Sequence, residues 1–131
     1  MKIYESGENY LETILMLEKR RGVVRSIDVA TELGFSKPSV SVAMKHFREN
    51  GYIVMDAEGY ITLTSAGREI AERIYERHQL LTRYLIALGV DAQVAQEDAC
   101  KLEHDLSAES FERLRAHYEE HLAPLVNAVE S

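Results

Sequence analysis

Cys100, Glu103 and His104 stand at i, i+3 and i+4. On a continuous helix that spacing puts a thiolate, a carboxylate and an imidazole on one face. Such a set of mixed softness suits divalent first-row transition metals. Read alone, the pattern is more often a helix with a buried cysteine and a surface Glu-His pair. Other donors stand elsewhere. His78 sits within Arg77-His78-Gln79, and Glu8 and Glu12 fall at i, i+4 beside Asn9. The plain reading of the two glutamates is polar helix surface, with Glu8 offsetting the N-terminal dipole. His46 reads as facing solvent or DNA, and His117 and His121, also at i, i+4, read equally as a surface feature. Cys100 with His104 does not make a nucleophile and base, because one helix brings no oxyanion donors beside them. With no Gly-rich phosphate loop and no paired-carboxylate cleft, the expectation is a non-enzyme with no small-molecule substrate.

The elements that must position these donors are mostly helical. Tyr10, Leu11, Ile14, Leu15 and Leu17 give a helical apolar stripe over residues 5–20, stopped by Gly22. Ser26 is expected to cap a short second helix with Ile27, Ala30 and Leu33 facing inward, closed by Gly34 in the left-handed region. Ser36 caps a third helix, with Pro38 in its first turn and Val40, Met44 and Phe47 buried. Residues 52–55 and 60–64 read as a hairpin around Asp56-Ala57-Glu58-Gly59. Ser65 is expected to cap a long helix to about Leu88, with Ile70, Ile74, Leu81 and Leu85 on its apolar side. A further helix runs from about Asp91 to Asp105, and a last one from Ser107 to about Leu122, ended by Pro124.

Two short helices joined by a tight Gly turn and followed by a hairpin make a winged helix-turn-helix. Ala30 is small enough for a close helix crossing, and Gly34 supplies the positive φ of the turn. The third helix then offers Ser36, Lys37, Ser39, Ser41, Lys45 and Arg48 to the phosphates of the major groove. No Asn, Gln or Arg stands early on it for a bidentate base contact. Discrimination therefore rests on Ser39, on contact of Pro38 with thymine methyls, and on DNA shape. The wing carries two acids and no base, so it is a structural hairpin and a poor minor-groove reader.

The chain has 131 residues, 46% of them apolar, with a formal charge of −7. That composition is globular and argues against disorder. No run of 18 apolar residues spans a membrane, and the charged MKIYESGENY start has no signal-peptide core. One cysteine excludes an internal disulfide framework and fits a reducing cytosol, so a cytoplasmic location is expected. The acidic total speaks against a nucleic-acid partner until it is located. Residues 1–63 carry a net of −1 and residues 64–131 a net of −6. The window from Lys19 to Arg48 is +5 and coincides with the helix-turn-helix.

Across about the first 110 residues the chain resembles the DtxR/MntR family of metal-dependent transcriptional repressors. The resemblance is carried by Glu8-Asn9-Tyr10-Leu11-Glu12, Val29-Ala30-Thr31-Glu32-Leu33 and Ser36-Lys37-Pro38-Ser39-Val40-Ser41. Leu63-Thr64-Ser65-Ala66-Gly67, Arg77-His78-Gln79-Leu80-Leu81 and the run from Cys100 to Ser107 continue it in the same order. It implies a mainly α fold: an N-terminal winged helix-turn-helix (residues 1–65) followed by a helical metal-binding and dimerisation domain (66–131). It further implies a homodimer that binds a palindromic double-stranded DNA operator when loaded with Fe2+ or Mn2+, Zn2+ being acceptable in vitro. By position, His78, Cys100, Glu103 and His104 match family ligands, and Glu12 matches a ligand of the manganese-type members. Asn9 falls where those members have Asp, with Glu8 as its substitute. Thr82 falls where several relatives have Glu. In length the chain resembles the short manganese-type branch, which lacks the SH3-like domain. The competing expectation is a winged-helix regulator gated by a small organic ligand, with no functional metal site, and after it a module for protein contact alone.

Overall fold

The structure is a computed structural model that describes residues 5–122. The chain divides into two compact units, residues 1–73 and 74–131. Pro124 lies outside the described residues.

In the first unit, α1 (Glu5–Arg21) is followed by α2 (Ser26–Leu33) and α3 (Lys37–Glu49). The antiparallel strands β1 (Ile53–Met55) and β2 (Ile61–Leu63) then form a hairpin in which Ile53 opposes Leu63 and Met55 opposes Ile61. The expected stripe of α1 is buried: Tyr10, Leu11, Ile14, Leu15 and Leu17 all lie in the core. Around them gather Val24, Val29, Val40, Met44, Phe47, Ile53, Ile61 and Leu63. Tyr10 meets Phe35 and Phe47 edge-on, at ring-centroid distances of 5.7 and 5.8 Å. Burial pushes its hydroxyl above the ordinary phenol range, so it stays neutral.

Two expected helix starts are displaced by one residue, each for a tertiary reason. Arg25, not Ser26, is the N-cap of α2. Arg25 forms a β-bridge with Tyr60, and Ile61 N–H donates to Val24 at 2.8 Å, which keeps the chain extended through Arg25. The Asp28 carboxylate accepts from Arg25 N–H at 2.9 Å and serves the helix start that a Ser26 hydroxyl was expected to serve. Val29 and Ala30 are the buried residues of α2, whereas Ile27 is 43% exposed and corrects the expectation that it faces inward. Ser36 caps α3 as expected, accepting from Ser39 N–H, and Gly34 has φ +70.

The same displacement occurs after the wing, where α4 (Ser65–Ala87) begins at Ser65 and Thr64 does the capping. Thr64 N–H donates to Tyr52, and its hydroxyl donates to Gly51 at 2.6 Å and accepts from Gly67 N–H at 3.2 Å. That clamp lays the first turn of α4 on the Tyr52 carbonyl. A Cβ at Gly67 would sit 2.0 Å from the Tyr52 oxygen.

In the second unit, α4 continues and is followed by α5 (Ala92–Leu102), α6 (Ala108–His117) and a π-helical turn at Tyr118–Leu122. The Asp91 carboxylate caps α5 and the Ser107 hydroxyl caps α6. Leu80, Phe111 and Tyr118 make a core cluster, with Tyr84 and Leu122 packed on it. Ile74 and Leu81 of α4 are buried as expected, while Ile70 and Leu85 are half-buried. Among the described residues no helix is long and apolar enough to cross a membrane.

Overpacking against a fixed backbone costs about 1–3 kcal/mol or more. Gly67→Ala is therefore expected to lower unfolding free energy by at least about 2 kcal/mol in urea titration, while Ala66→Gly, at an exposed neighbour, should cost about 1 kcal/mol or less.

Candidate functional site

Glu103 has 0% relative exposure. Ala95 and Ala99 precede it at i−8 and i−4 and are also buried, so the stripe that faces inward from α5 ends in a carboxylate. The helix itself stops at Leu102, and Glu103 to Asp105 form a turn. This corrects the expectation of a helix running to Asp105. Arg77 of α4 explains the stop: its Nη1 donates to the carbonyls of Glu103 at 3.1 Å and Leu106 at 2.9 Å. The guanidinium satisfies carbonyls that a helix end would leave open. It rests over the Phe111 ring at 5.0 Å from the centroid.

Two imidazoles approach the carboxylate, that of His104 from the turn itself and that of His78 from α4. His104 Nε2 lies 3.3 Å from one Glu103 oxygen, and His78 Nδ1 lies 3.6 Å from the other. The His104 side chain is 2% exposed and that of His78 20%. A carboxylate this deeply withdrawn from water requires a compensating positive charge or hydrogen-bond donors. One oxygen set with two imidazole nitrogens is a donor chemistry that Mn2+, Fe2+ and Zn2+ all accept, so the residues present fit a divalent cation.

Cys100 is exposed, whereas Glu103 is buried. It lines a shallow groove of about 480 Å3 with His78, whose ring also approaches Glu103, and with Gln96, Glu97 and Lys101. Gln96 and Glu97 were not singled out from sequence; their signal is the i, i+4 and i, i+3 relation to Cys100. In the first unit Glu12 is 4% exposed, an unusual state for a glutamate and not the surface position of the plain reading. Asn9 and Glu8 are half-buried, and Glu8 faces Arg73 at 3.5 Å.

The α3 residues Ser36, Lys37, Pro38, Ser39, Ser41, Lys45 and Arg48 are all exposed, as is His46. Val42 is 57% exposed on the same helix, one turn beyond Pro38, and was missed because an apolar residue reads as core. Ser26, Ile27, Lys37 and Ser41 line a cleft of about 180 Å3 between α2 and the start of α3. The two acids of the basic window are engaged by its own arginines: Arg20 meets Glu32 at 2.8 Å and Arg21 meets Asp28 at 2.9 Å. The cations on α3 are left outside that neutralisation. In the wing, Asp56 accepts from Glu58 N–H and Tyr60 N–H at 3.0 and 2.8 Å, so this acid builds the turn. Arg25 lies over the Tyr60 ring at 4.3 Å and places a cation at the wing's base.

Comparison with known proteins identifies two consecutive matches. Residues 2–61 match the iron dependent repressor N-terminal DNA binding domain, and residues 64–121 match the iron dependent repressor metal binding and dimerisation domain. The transcriptional regulator MntR of Escherichia coli O6:H1 is 33% identical over 114 residues, covering 87% of this chain and 74% of that protein. The HTH-type transcriptional regulator MntR of Bacillus subtilis (strain 168) is 33% identical over 109 residues, covering 83% and 77%. The structure of the manganese regulator SloR superposes with a TM-score of 0.74 at 28% identity. It covers 91% of this chain, which spans 55% of the SloR chain.

Arg77→Lys keeps the charge and loses the two-carbonyl fork. The expected outcome is at least tenfold faster amide hydrogen exchange over residues 103–107, with a stability loss of about 1–3 kcal/mol. Unchanged exchange in that segment would show that the turn holds without the guanidinium.

Proposed function

Because the chain belongs to the DtxR/MntR family of metal-dependent transcriptional repressors, we propose that it is a homodimeric repressor whose affinity for a palindromic operator rises with Mn2+, and secondarily Fe2+, and that it acts in the cytoplasm. The buried Glu103 carboxylate between two imidazoles carries this reading. The manganese named for SloR and for a second solved repressor, both 28% identical to this chain, favours Mn2+ over Fe2+. We assign Glu12, His78, Glu103 and His104 as the principal ligands. Asn9 is the next donor on α1, since Glu8 already faces Arg73. Cys100 beside His78 is the donor through which softer ions such as Zn2+ gain.

A divalent cation held by these residues would supply positive charge beside the buried Glu103 carboxylate. The chain's own residues transmit its effect. Arg77 holds the turn that aims Glu103 and His104. Glu12 is carried by α1, which packs on α2 and β2, so restraint at Glu12 is restraint on the helix-turn-helix. Ordering that helix before DNA arrives links the two binding events, and the linkage is reciprocal. In a dimer the recognition helices stand about one DNA turn, roughly 34 Å, or a multiple of it apart. Ser36, Lys37, Ser39, Ser41, Lys45 and Arg48 hold phosphates, while Pro38 and Val42 present an apolar edge to thymine methyls.

The test is duplex binding to the chain's own upstream region, across salt and with or without Mn2+ or Fe2+. The expected result is at least tenfold tighter binding with metal, and equal affinity in both conditions would overturn the reading. Cys100→Ala with His104→Ala should abolish most of that metal response while leaving the circular dichroism spectrum intact. Lys45→Ala should reduce the salt slope by about one. Replacing operator thymines by uracil should weaken wild-type binding severalfold without changing that slope.

A further inference from the structure

His117 ends α6 and His121 lies in the π-helical turn after it. Their ring centroids are 4.8 Å apart, with planes tilted by 45°. Both residues are exposed, so apolar burial does not hold the pair together. The separation suits chelation. A nitrogen bound to Zn2+ at about 2.0–2.1 Å places the ion roughly 3.2 Å from its ring centre. Two rings at the observed spacing then subtend roughly 97° at a shared ion, between the square-planar and tetrahedral angles.

The second observation is that His117 is already oriented. Its Nδ1 lies 2.8 Å from the Tyr84 hydroxyl, and its ring stacks on Tyr84 at 5.8 Å with a 22° tilt. Tyr84 is fixed in turn by Tyr118, at 5.9 Å, and by the Leu80–Phe111–Tyr118 cluster. With its proton on Nδ1, His117 donates to the Tyr84 oxygen and presents the Nε2 lone pair outward. Metal-ligating histidines are held in this way, with the second nitrogen donating to a fixed acceptor. Beside them, a Glu120 carboxylate oxygen lies 3.7 Å from His121 Nε2 and adds negative charge.

We propose that His117 and His121 form a second cation site, separate from the Glu103 cluster, that takes an imidazole-preferring divalent ion such as Cu2+ or Zn2+. Two imidazole nitrogens favour these ions over Mn2+ and Fe2+ in the usual order of first-row affinities. The bound ion ties the π-helical turn to α4 through Tyr84. The repressor thereby has one site for its effector and another that responds to a different class of metal.

The experiment uses the full chain and its His117→Ala/His121→Ala variant, with Cu2+ and Zn2+ as probes. Equilibrium dialysis against Zn2+ should show one equivalent per chain fewer in the variant. The Cu2+ electron paramagnetic resonance signal lost on substitution should carry the coupling of two imidazole nitrogens. Either single substitution should weaken that site at least tenfold, and Tyr84→Phe severalfold. Equal uptake by wild type and variant, or a lost signal with one nitrogen, would overturn the proposal. Mn2+-stimulated operator binding, measured in the same variant, should be unchanged. Failure of this site is thereby distinguished from failure of the repressor reading.

Discussion

A carboxylate removed from water needs a positive partner or several donors, and in the second unit Glu103 imposes that requirement on everything around it. Two imidazoles approach its oxygens. The helix that delivers it ends one residue earlier, and the carbonyls released there are gathered by Arg77. Arg77 in turn lies on Phe111, itself part of the cluster with Leu80 and Tyr118. The hydrophobic core of this unit therefore holds the arginine, and the arginine holds the turn. Replacing such a polar cluster by apolar residues of equal volume is often stabilising. The cluster is therefore weak evidence for stability, and its carboxylate and two imidazoles are a donor chemistry that a divalent cation accepts.

The first unit distributes charge by location. Asp28 and Glu32 of α2 pair with Arg21 and Arg20 of α1. Asp56 closes the wing turn. Lys37, Lys45 and Arg48 stay exposed on α3. At physiological salt an exposed charge acts over about 8 Å, so a phosphate at α3 meets these cations and not the chain's total of −7. The acidic composition and a DNA-binding helix are compatible for that reason.

Much of the fold was legible in residue order. The α1 stripe, the α3 core residues Val40, Met44 and Phe47, the Gly34 turn and the existence of the hairpin depend on local periodicity and on a few special backbone conformations. The misplaced helix starts at Ser26 and Ser65 show where local logic fails. Both serines are sound caps, but Arg25 is drawn into a bridge with Tyr60, and Thr64 is clamped to Gly51 and Tyr52. Contacts far along the chain chose the neighbouring residue. Val42 was missed for a related cause, since its type suits a core and its position on the helix decides otherwise.

The sequence by itself determined the element order, the exposed cations of α3 and the chemical types of the candidate donors, because spacing and side-chain chemistry are properties of the chain. Only the tertiary structure decided which donors come together. The i, i+3, i+4 pattern treated Cys100, Glu103 and His104 as equals on one helix face. Glu103 follows the buried Ala95 and Ala99 and is withdrawn from water, Cys100 stays exposed, and Arg77 holds the turn after Leu102. Burial and helix termination arise from residues distant in sequence, so no local spacing could carry them.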